Sequence, residues 1–437
     1  MPGIHKTGLI WFTKNLRVLD NYTLHRAAED NDRLIGVFFF DPRDFEPTPY
    51  GFKKTERFRA KFLLESVAQL RDSLQEINIS LWVVHGKAEE TMPELIKDLN
   101  IQSIYLQKEW TREEADVLHS VQKSLPEHIK IKEIFDQFLF HPQDIPFSEM
   151  SIPKVFTDFR KACEKEALVR PEASEINALP KNNLLHNTPE LPTLEDLGFK
   201  SFEKDTRSAF PFAGGEKEVQ KRLNYYFFQT KKLGYYKKTR NGLLGTDYSS
   251  KFSPWLANGS ISARQVYWQV LDFEKQYLKN QSTYWLIFEL IWRDYFKYIS
   301  IKYRDKIFLQ GGILQKKYQW SNNLNKFNSW ISGATKEPFV NANMLELKNS
   351  GWMSNRGRQN VASYLAKELQ IDWRMGAAYF EAMLLDYDVH SNYGNWMYVA
   401  GVGNDPRDRK FNARLQSERY DPSGNYQNTW LQKTLFE

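Results

Sequence analysis

The chain has 437 residues, enough for two or three domains that each bury a core, and its 41% hydrophobic and 26% charged content is that of a soluble globular protein. Net charge is only +6, so the chain is no overall polycation, while aromatics reach 15% and point to flat ligands or a heavily aromatic core. A single cysteine, Cys163, excludes an internal disulfide and any cysteine-based metal cluster, and fits a reducing compartment.

The opening MPGIHKTGLIWFTKNLR has no apolar run of signal-peptide length, and the longest buried-looking run, LIGVFFF at 34–40, is far too short to cross a bilayer. These features predict a cytoplasmic protein that is not membrane-inserted. GLIWF (8–12), LIGVFFF (34–40), ISLWVV (79–84), SIYLQ (103–107) and IKIKEIF (129–135) read as strands, with helical patterns at 56–77 and 90–100 between them. Strands alternating with helices predict an α/β domain with a parallel, doubly wound sheet over 1–135. The turn after the first strand reads WFTKNLRVLDN, with no G-x-G-x-x-G, which argues against a dinucleotide at that place despite the fold class.

From 136 to 213 periodicity fades, and the Pro-rich, polar RPEASEINALPKNNLLHNTPELPTLEDLGFK reads as a long connector wrapping a surface. At 212–223, FAGGEKEVQKRL turns from a glycine pair into a helical pattern and opens an all-α domain over 214–437. VQKRLNYYFFQTKKL, ISARQVYWQVLDFEKQYL, TYWLIFELIWRDYFKYISIKY, NRGRQNVASYLAKELQ and MGAAYFEAMLLDY all carry helical periodicity.

Within that domain, 221–251 carries Lys221, Arg222, Lys231, Lys232, Lys237, Lys238, Arg240 and Lys251 against Asp247 alone, interleaved with tyrosines and phenylalanines from Tyr225 to Tyr236. A charge run is usually a solvated face, but cations interleaved with aromatics suit phosphates and stacked bases. The Gly-bounded TRNGLLGTDYSSKFSPWLANGSISARQ, at 239–265, sets Ser249, Ser250 and Ser253 at a helix entry, where hydroxyls and free N–H groups either hold a phosphate or simply cap the helix. Further on, Trp320, Trp352, Trp373 and Trp396 stand among Asn, Arg, Gly and Tyr. Core helices bury Leu, Ile and Val; this mixture suits a pocket that stacks a flat, polar-edged ligand and passes electrons through indole rings. Eight scattered histidines without H-E-x-x-H, and no G-x-S-x-G or P-loop, leave a metal centre or a hydrolase without support.

Taken jointly, DYSSKFSPWLANGSIS, ELIWRDYF, SNRGRQN, DWRMGAAYFE, DYDVHSNYGNWMY, GVGNDPR and YDPSGNY resemble the photolyase/cryptochrome flavoproteins, and within them the DASH-type cryptochromes. The resemblance covers nearly the full length and is most specific towards the C-terminus. WFTKNLRVLDN is similar to the family's W-F-R-x-D-L-R-x-x-D-N, with Thr13 and Asn15 at two usual positions. The resemblance implies an antenna-type domain at the N-terminus and FAD held in a folded shape in the helical domain. It also implies light-driven splitting of cyclobutane pyrimidine dimers by a monomer, preferentially in single-stranded DNA. A blue-light receptor that binds nucleic acid without repairing it is the alternative.

By the same resemblance, Tyr236, Ser249, Ser250, Lys251, Phe252 and Ser253 surround the FAD phosphates and ribityl chain. Arg358 and Asp386 match an ion pair near the isoalloxazine, Asp388 lies beside it, and Asn392 faces flavin N5, where a neutral amide accepts from a protonated nitrogen or donates to an unprotonated one. Trp396, Trp373 and Trp320 match the proximal, middle and distal positions of an electron wire, and Trp352 lies outside it, in or near the substrate cavity. Glu289 and Trp292 match residues that contact the dimer and its flanking bases, and Arg240, Arg293, Arg356 and Arg409 are phosphate or cavity contacts. Asn355 and Gln359 occupy the places where (6-4) photolyases carry two catalytic histidines, which disfavours that repair. Tyr398 stands where double-strand photolyases place a second tryptophan, so it and Gln359 weaken the grip on a flipped dimer. An antenna, 5,10-methenyltetrahydrofolate, is expected in the cleft between the domains, with Glu113 preferred over Glu109 as the carboxylate on the pterin edge.

One segment departs from the family's P-[LF]-V-D-A-N-M-[RK]-E-L. Here it reads PFVNANMLEL, with Asn341 and Leu345, which leaves open an ion pair exchanged for a neutral contact, an altered DNA contact or an altered oligomer surface.

Overall fold

Four short apolar runs and a fifth, KIKEI, that alternates Ile with charges become five parallel strands: the inner strands are covered by helices on both faces, and the alternating strand lies at the sheet edge. They are β1 (Thr7–Trp11), β2 (Arg33–Phe40), β3 (Leu81–His85), β4 (Ser103–Gln107) and β5 (Lys130–Ile134). The computed structural model describes residues 6–405 and 407–432, so the outermost residues of the expected 1–135 and 214–437 spans, and Pro406 of GVGNDPR, lie outside the described residues. Strand order is β3-β2-β1-β4-β5, the doubly wound arrangement read from the sequence, with Ile10 of β1 in register between Gly36 of β2 and Tyr105 of β4. Every residue of β1 is buried, as the central strand requires. The crossovers are α1 (Tyr22–Asp30), α2 (Arg57–Glu76), α3 (Ala88–Asp98) and α4 (Arg112–Ser124).

The connector is not the featureless strap that its composition suggests. It contains α5 (Phe156–Glu166), an amphipathic helix anchored by Phe156, Phe159 and Cys163 at i, i+3 and i+7. Three buried residues in eleven are too few to stand out in a polar segment. Further along, Asn183 exchanges hydrogen bonds with the backbone of Leu34 and donates to the Asn78 carbonyl, tying the connector to the sheet.

The remaining helices are α6 (Glu216–Asn224), α7 (Tyr236–Thr239), α8 (Ser253–Asn258), α9 (Ala263–Gln276), α10 (Gln281–Tyr303), α11 (Leu324–Ile331) and α12 (Pro338–Ser350). They continue with α13 (Asn355–Ser363), α14 (Trp373–Met383), α15 (Val389–Ala400), α16 (Ala413–Tyr420) and α17 (Asn425–Leu431). The helix expected over VQKRLNYYFFQTKKL is shorter, because α6 runs into a wide π-turn at Tyr225–Gln229 and Lys231 then takes a left-handed conformation at φ 54°. No helix among the described residues is long and apolar enough to cross a membrane.

The WFTKNLRVLDN turn joins the sheet to the helices. Gly259, at φ +77°, ends α8 so close to this turn that a Cβ would lie 1.9 Å from the Lys14 carbonyl oxygen, which only glycine permits. Arg17 donates to the Gly259 carbonyl, and Arg17 and Arg264 together grip Asp136, all nearly solvent-free. Glu216 of α6 accepts from the N–H groups of Val18 and Leu19, and Asp294 of α10 from those of Leu139 and Phe140. A turn that lacks phosphate-binding glycines is thus a docking surface for the second domain.

Candidate cofactor and nucleic-acid site

Helices α8, α10, α13, α14 and α15 wall a cavity of about 550 Å³, within the range of cofactor sites. It gathers Tyr236, Ser249, Ser250, Lys251, Phe252, Ser253, Arg358, Asp386, Asp388 and Asn392, every residue the resemblance assigns to FAD. The same cavity is lined by Arg240, Glu289, Trp292, Arg293, Asn355, Arg356, Gln359, Tyr398 and Arg409, the whole set assigned to DNA. Trp396 lines it too, whereas Trp373, Trp320 and Glu113 do not.

The serine loop is shaped from beneath by Arg222, which donates to the carbonyls of Thr246, Ser249 and Ser250 and pairs with Asp247 at 2.8 Å. Lys232 converges on the same carboxylate. Burial opposes the Asp247 charge, but these two cations hold its carboxyl below the usual range. Part of the basic run is therefore scaffolding for the loop. Lys251 sits at φ +67° with its Nζ buried, without a hydrogen-bond partner in the protein, 3.2 Å from the Tyr248 ring centroid. Burial, against the pull of Glu346, pushes its ammonium well below the ordinary lysine range. The helix that follows, α8, has six residues and Pro254 in its first turn, so hydroxyls and loop N–H groups are the donors here.

At the other end of the cavity Arg358 donates to Asp386 at 2.9 Å and to the Met353 carbonyl, while Asp386 Oδ1 is buried with no partner in the protein. Asp388 caps α15 by accepting from Ser391 N–H and pairs with Lys297 at 3.1 Å. Burial works against its charge, yet Lys297 holds the carboxyl well below its usual range. Asn392, one turn on, donates to the Ala377 carbonyl at 3.0 Å, which leaves its oxygen and second amide hydrogen for the cavity. Trp396 stands four residues later on the same helix face and packs edge-on to Phe380 and Trp330, at 5.0 and 6.3 Å between ring centroids. Gly376 makes room for it: a Cβ there would lie 2.2 Å from Trp396 Cη2. Trp373 is fully buried and donates to the Gln310 carbonyl, and Trp320 is half-buried. A bridge between Ser321 and Ile371 holds their two segments together.

Around the mouth, Glu289 pairs with Arg240 at 2.8 Å, and burial raises its pKa against that pairing. Trp292 stacks on Phe156 with 3.6 Å between centroids and meets Tyr398 edge-on at 6.1 Å. Arg356 donates to Gln359 and Asn241, and Arg409 pairs with Asp405. Arg293 has both amino groups on the carbonyls of Gln137 and Leu256, which makes it a brace between connector and helices. Trp352 donates to the Tyr248 hydroxyl at 3.0 Å and stacks on Phe210. Tyr248, which no motif reading selected, shapes this wall; its only signal is its place beside the serines.

Asn341 bonds the N–H, hydroxyl and carbonyl of Thr335, closing the turn after α11, and Leu345 packs with Leu243, Phe339, Tyr426 and Trp430. Of the alternatives left by PFVNANMLEL, the structure shows a neutral local contact, away from the cavity.

A second cluster of polar groups lies at the carboxyl ends of β1 and β4, where the strand order reverses and open α/β sheets hold ligands. Gln107 donates to Glu109, Lys14 pairs with Glu114, and His390 shares a hydrogen bond with Ser300. Thr13 Oγ1, Asn15 Nδ2, Gln107 Oε1, Glu109 Oε2 and His390 Nε2 are buried here without a protein partner. Burial raises the Glu109 pKa against the pull of Lys14. Glu113, the residue preferred on sequence, is instead exposed and ion-paired with Lys54 at 2.6 Å. The sequence spacing alone does not say which of the two carboxylates faces inward.

Residues 8–180 match the family described as DNA photolyase, and residues 285–434 match the FAD binding domain of DNA photolyase. A protein from Gloeobacter violaceus named Cryptochrome DASH is 47% identical over 428 residues, covering 98% of this chain and 85% of that one. Another Cryptochrome DASH, from Synechocystis, is 45% identical over 437 residues, covering 99% and 88%. The fold matches the crystal structure of a Synechocystis cryptochrome with a TM-score of 0.92 at 45% identity, covering 99% of this chain and 89% of that one. On sequence, fold and cavity alike, the chain belongs to the photolyase/cryptochrome family, among its DASH cryptochromes, and its C-terminal part is an FAD-binding domain.

Proposed function

We propose that this protein is a light-driven lyase that splits cyclobutane pyrimidine dimers, preferentially in single-stranded DNA. The observation that carries the reading is that the residues for FAD and those for a flipped-out dimer line one and the same cavity. The cavity fits the cofactor chemically, because Lys251 Nζ and Asp386 Oδ1 are buried polar atoms without a protein partner. Reduced FAD, when bound, supplies the light-driven one-electron chemistry that opens the dimer.

The protein's part is positioning. Ser249, Ser250, Ser253 and Lys251 would hold the phosphates of FAD, Asp386, oriented by Arg358, would meet the polar edge of its ring, and Asn392 would offer its amide to that ring. Trp292, backed by Phe156, gives a flat wall for the dimer, and Glu289, steadied by Arg240, meets a base edge. No general acid or base is required. Trp396, Trp373 and Trp320, progressing from cavity to half-exposed surface, would carry electrons inward from a reductant in solution, which is oxidised as the bound cofactor is reduced.

A folate antenna belongs to the cluster at β1 and β4, whose five unpartnered buried atoms support a polar-edged ring, with Glu109 on the pterin edge. This reading takes the protein as a cytoplasmic monomer, with an antenna domain over 1–135, a connector over 136–213 and the FAD domain over 214–437. The name cryptochrome carried by its relatives favours a second reading, a blue-light receptor that binds nucleic acid without repair. Illuminating the reduced, FAD-loaded protein with a dimer-containing oligonucleotide separates the two. Thymines restored in light and not in darkness support the lyase; no restoration in light moves the protein to the receptor class.

A further inference from the structure

Helix α10 carries more aromatic surface than the dimer contacts use. Trp285, Phe288 and Trp292 stand at i, i+3 and i+7, all half-buried on one face. Trp285 stacks on Phe288 with 4.6 Å between centroids at 27°. Phe288 meets Phe156 edge-on at 5.2 Å, and Phe156 stacks on Trp292. The rings form a continuous ladder that begins outside the cavity, at Trp285, and ends at its mouth.

Cations flank the ladder on both sides. Lys237 Nζ lies 4.3 Å from the Trp285 ring centroid and Arg240 Cζ 6.0 Å, while Arg160 Cζ lies 5.6 Å from that of Phe288. Arg240 is held by Glu289 and Arg160 by Glu164. Lys237 donates to the neutral amide of Gln281, so it can leave the indole face without breaking that ion pairing. Packing against the core explains the inner edges of these rings. It gives no reason for an ammonium resting on the outer one.

We propose that this face of α10 is a stacking track for undamaged bases next to the dimer in single-stranded DNA, entered at the outer face of Trp285, where Lys237 now rests. A base displaces Lys237 from the Trp285 ring, and the ammonium moves to the adjoining phosphate. Bases in a duplex are paired and stacked on each other and cannot lie on the track. The track deepens the reading of the cavity as a dimer site and rests on it for its direction. It also adds a cause of strand preference that reaches beyond the cavity, at Trp285.

The test uses the FAD-loaded protein and three probes: a bare thymine-dimer dinucleotide, a single strand with the dimer flanked on both sides, and undamaged oligothymidylate. Trp285→Leu keeps apolar bulk and removes the flat face. It is expected to weaken binding of the flanked strand and of oligothymidylate about tenfold, the size of one lost base stack, and to leave the bare dinucleotide within about twofold. Lys237→Gln, a change at a half-buried surface position that keeps a polar side chain of similar length, is expected to lower the salt dependence of single-strand binding by one phosphate, a slope change of about 0.7. Unchanged binding of both long probes by Trp285→Leu overturns the track, as does an equal loss on all three probes. If Trp285→Leu fails to fold, an unchanged salt slope for Lys237→Gln overturns it. Failure of the wild type to split any dimer defeats the repair reading alone, since oligothymidylate binding still reports on the track.

Discussion

Gly376→Ala tests how tightly the cavity wall is built. The added methyl would lie 2.2 Å from Trp396 Cη2, 2.7 Å from Trp396 Cζ2 and 2.5 Å from Leu365 Cδ2. Carbon atoms rest at roughly 3.5–4.0 Å, so the indole must withdraw by more than an ångström. Phe380 and Trp330 already pack against its edges, and the open side is the cavity. Overpacking at the upper end costs about 3 kcal/mol, and replacing a helical glycine returns about 1 kcal/mol, leaving a loss of about 2 kcal/mol. For a domain of this size that lowers the melting temperature by roughly 4–8 °C. Because the indole moves into the cavity, FAD affinity falls as well. Melting with and without added FAD, and a titration of the apoprotein, measure both effects. Trp396→Phe placed on top of Gly376→Ala should recover part of the stability, since the smaller ring clears the methyl. A variant that melts higher than wild type with unchanged FAD affinity would refute the packing argument.

Asp294 gives a pH dependence with a defined sign. Burial raises its pKa from 3.8 to about 6 although Leu139 and Phe140 donate to it. A raised carboxyl stabilises the fold when protonated, so this contribution, of about 3 kcal/mol, is full below about pH 4 and is lost as pH rises through about 6. Relative to Asp294→Asn, the wild-type urea midpoint should therefore drop over that window; a constant difference contradicts the assignment. Trp396→Phe is expected to lose most light-driven flavin reduction with added reductant while still binding FAD, and Trp352→Phe to keep it. Equal photoreduction in wild type and Trp396→Phe sinks the wire. Folate binding should fall with Glu109→Gln and survive Glu113→Gln; the reverse result returns the pterin contact to Glu113.

The sheet was legible because its inner strands read as apolar runs, and the central β1 carries no charged residue. The helix α5 was not, since Phe156, Phe159 and Cys163 are sparse anchors in a charged stretch. At the site, WRMG and DYDVHSNYGNW were readable as a pocket because glycine beside tryptophan has no use in an ordinary core helix, and Gly376 does lie against Trp396. Sequence could not say which charges were already paired. Arg222 and Lys232 read as nucleic-acid contacts but converge on Asp247, and Arg293 braces two carbonyls. Nor could it say which of Glu109 and Glu113, four residues apart on either side of a helix start, is buried and which is exposed. Asn341 looked like a lost ion-pair partner; its three bonds to Thr335 needed the turn to be folded.

The central claim is repair with a preference for single strands. Extracting a dimer from a duplex costs a few kcal/mol of unstacking, and each 1.4 kcal/mol is tenfold. Tyr398 and Gln359 offer the flipped dimer a smaller ring and an amide, so the cavity does little to offset that cost. The direct measurement compares the rate of blue-light repair, at equal and sub-saturating lesion concentration, for one thymine dimer in a single strand and in the same strand annealed to its complement. The account predicts repair of the single strand at least about tenfold more efficient than that of the duplex. Equal efficiency on both substrates would contradict it.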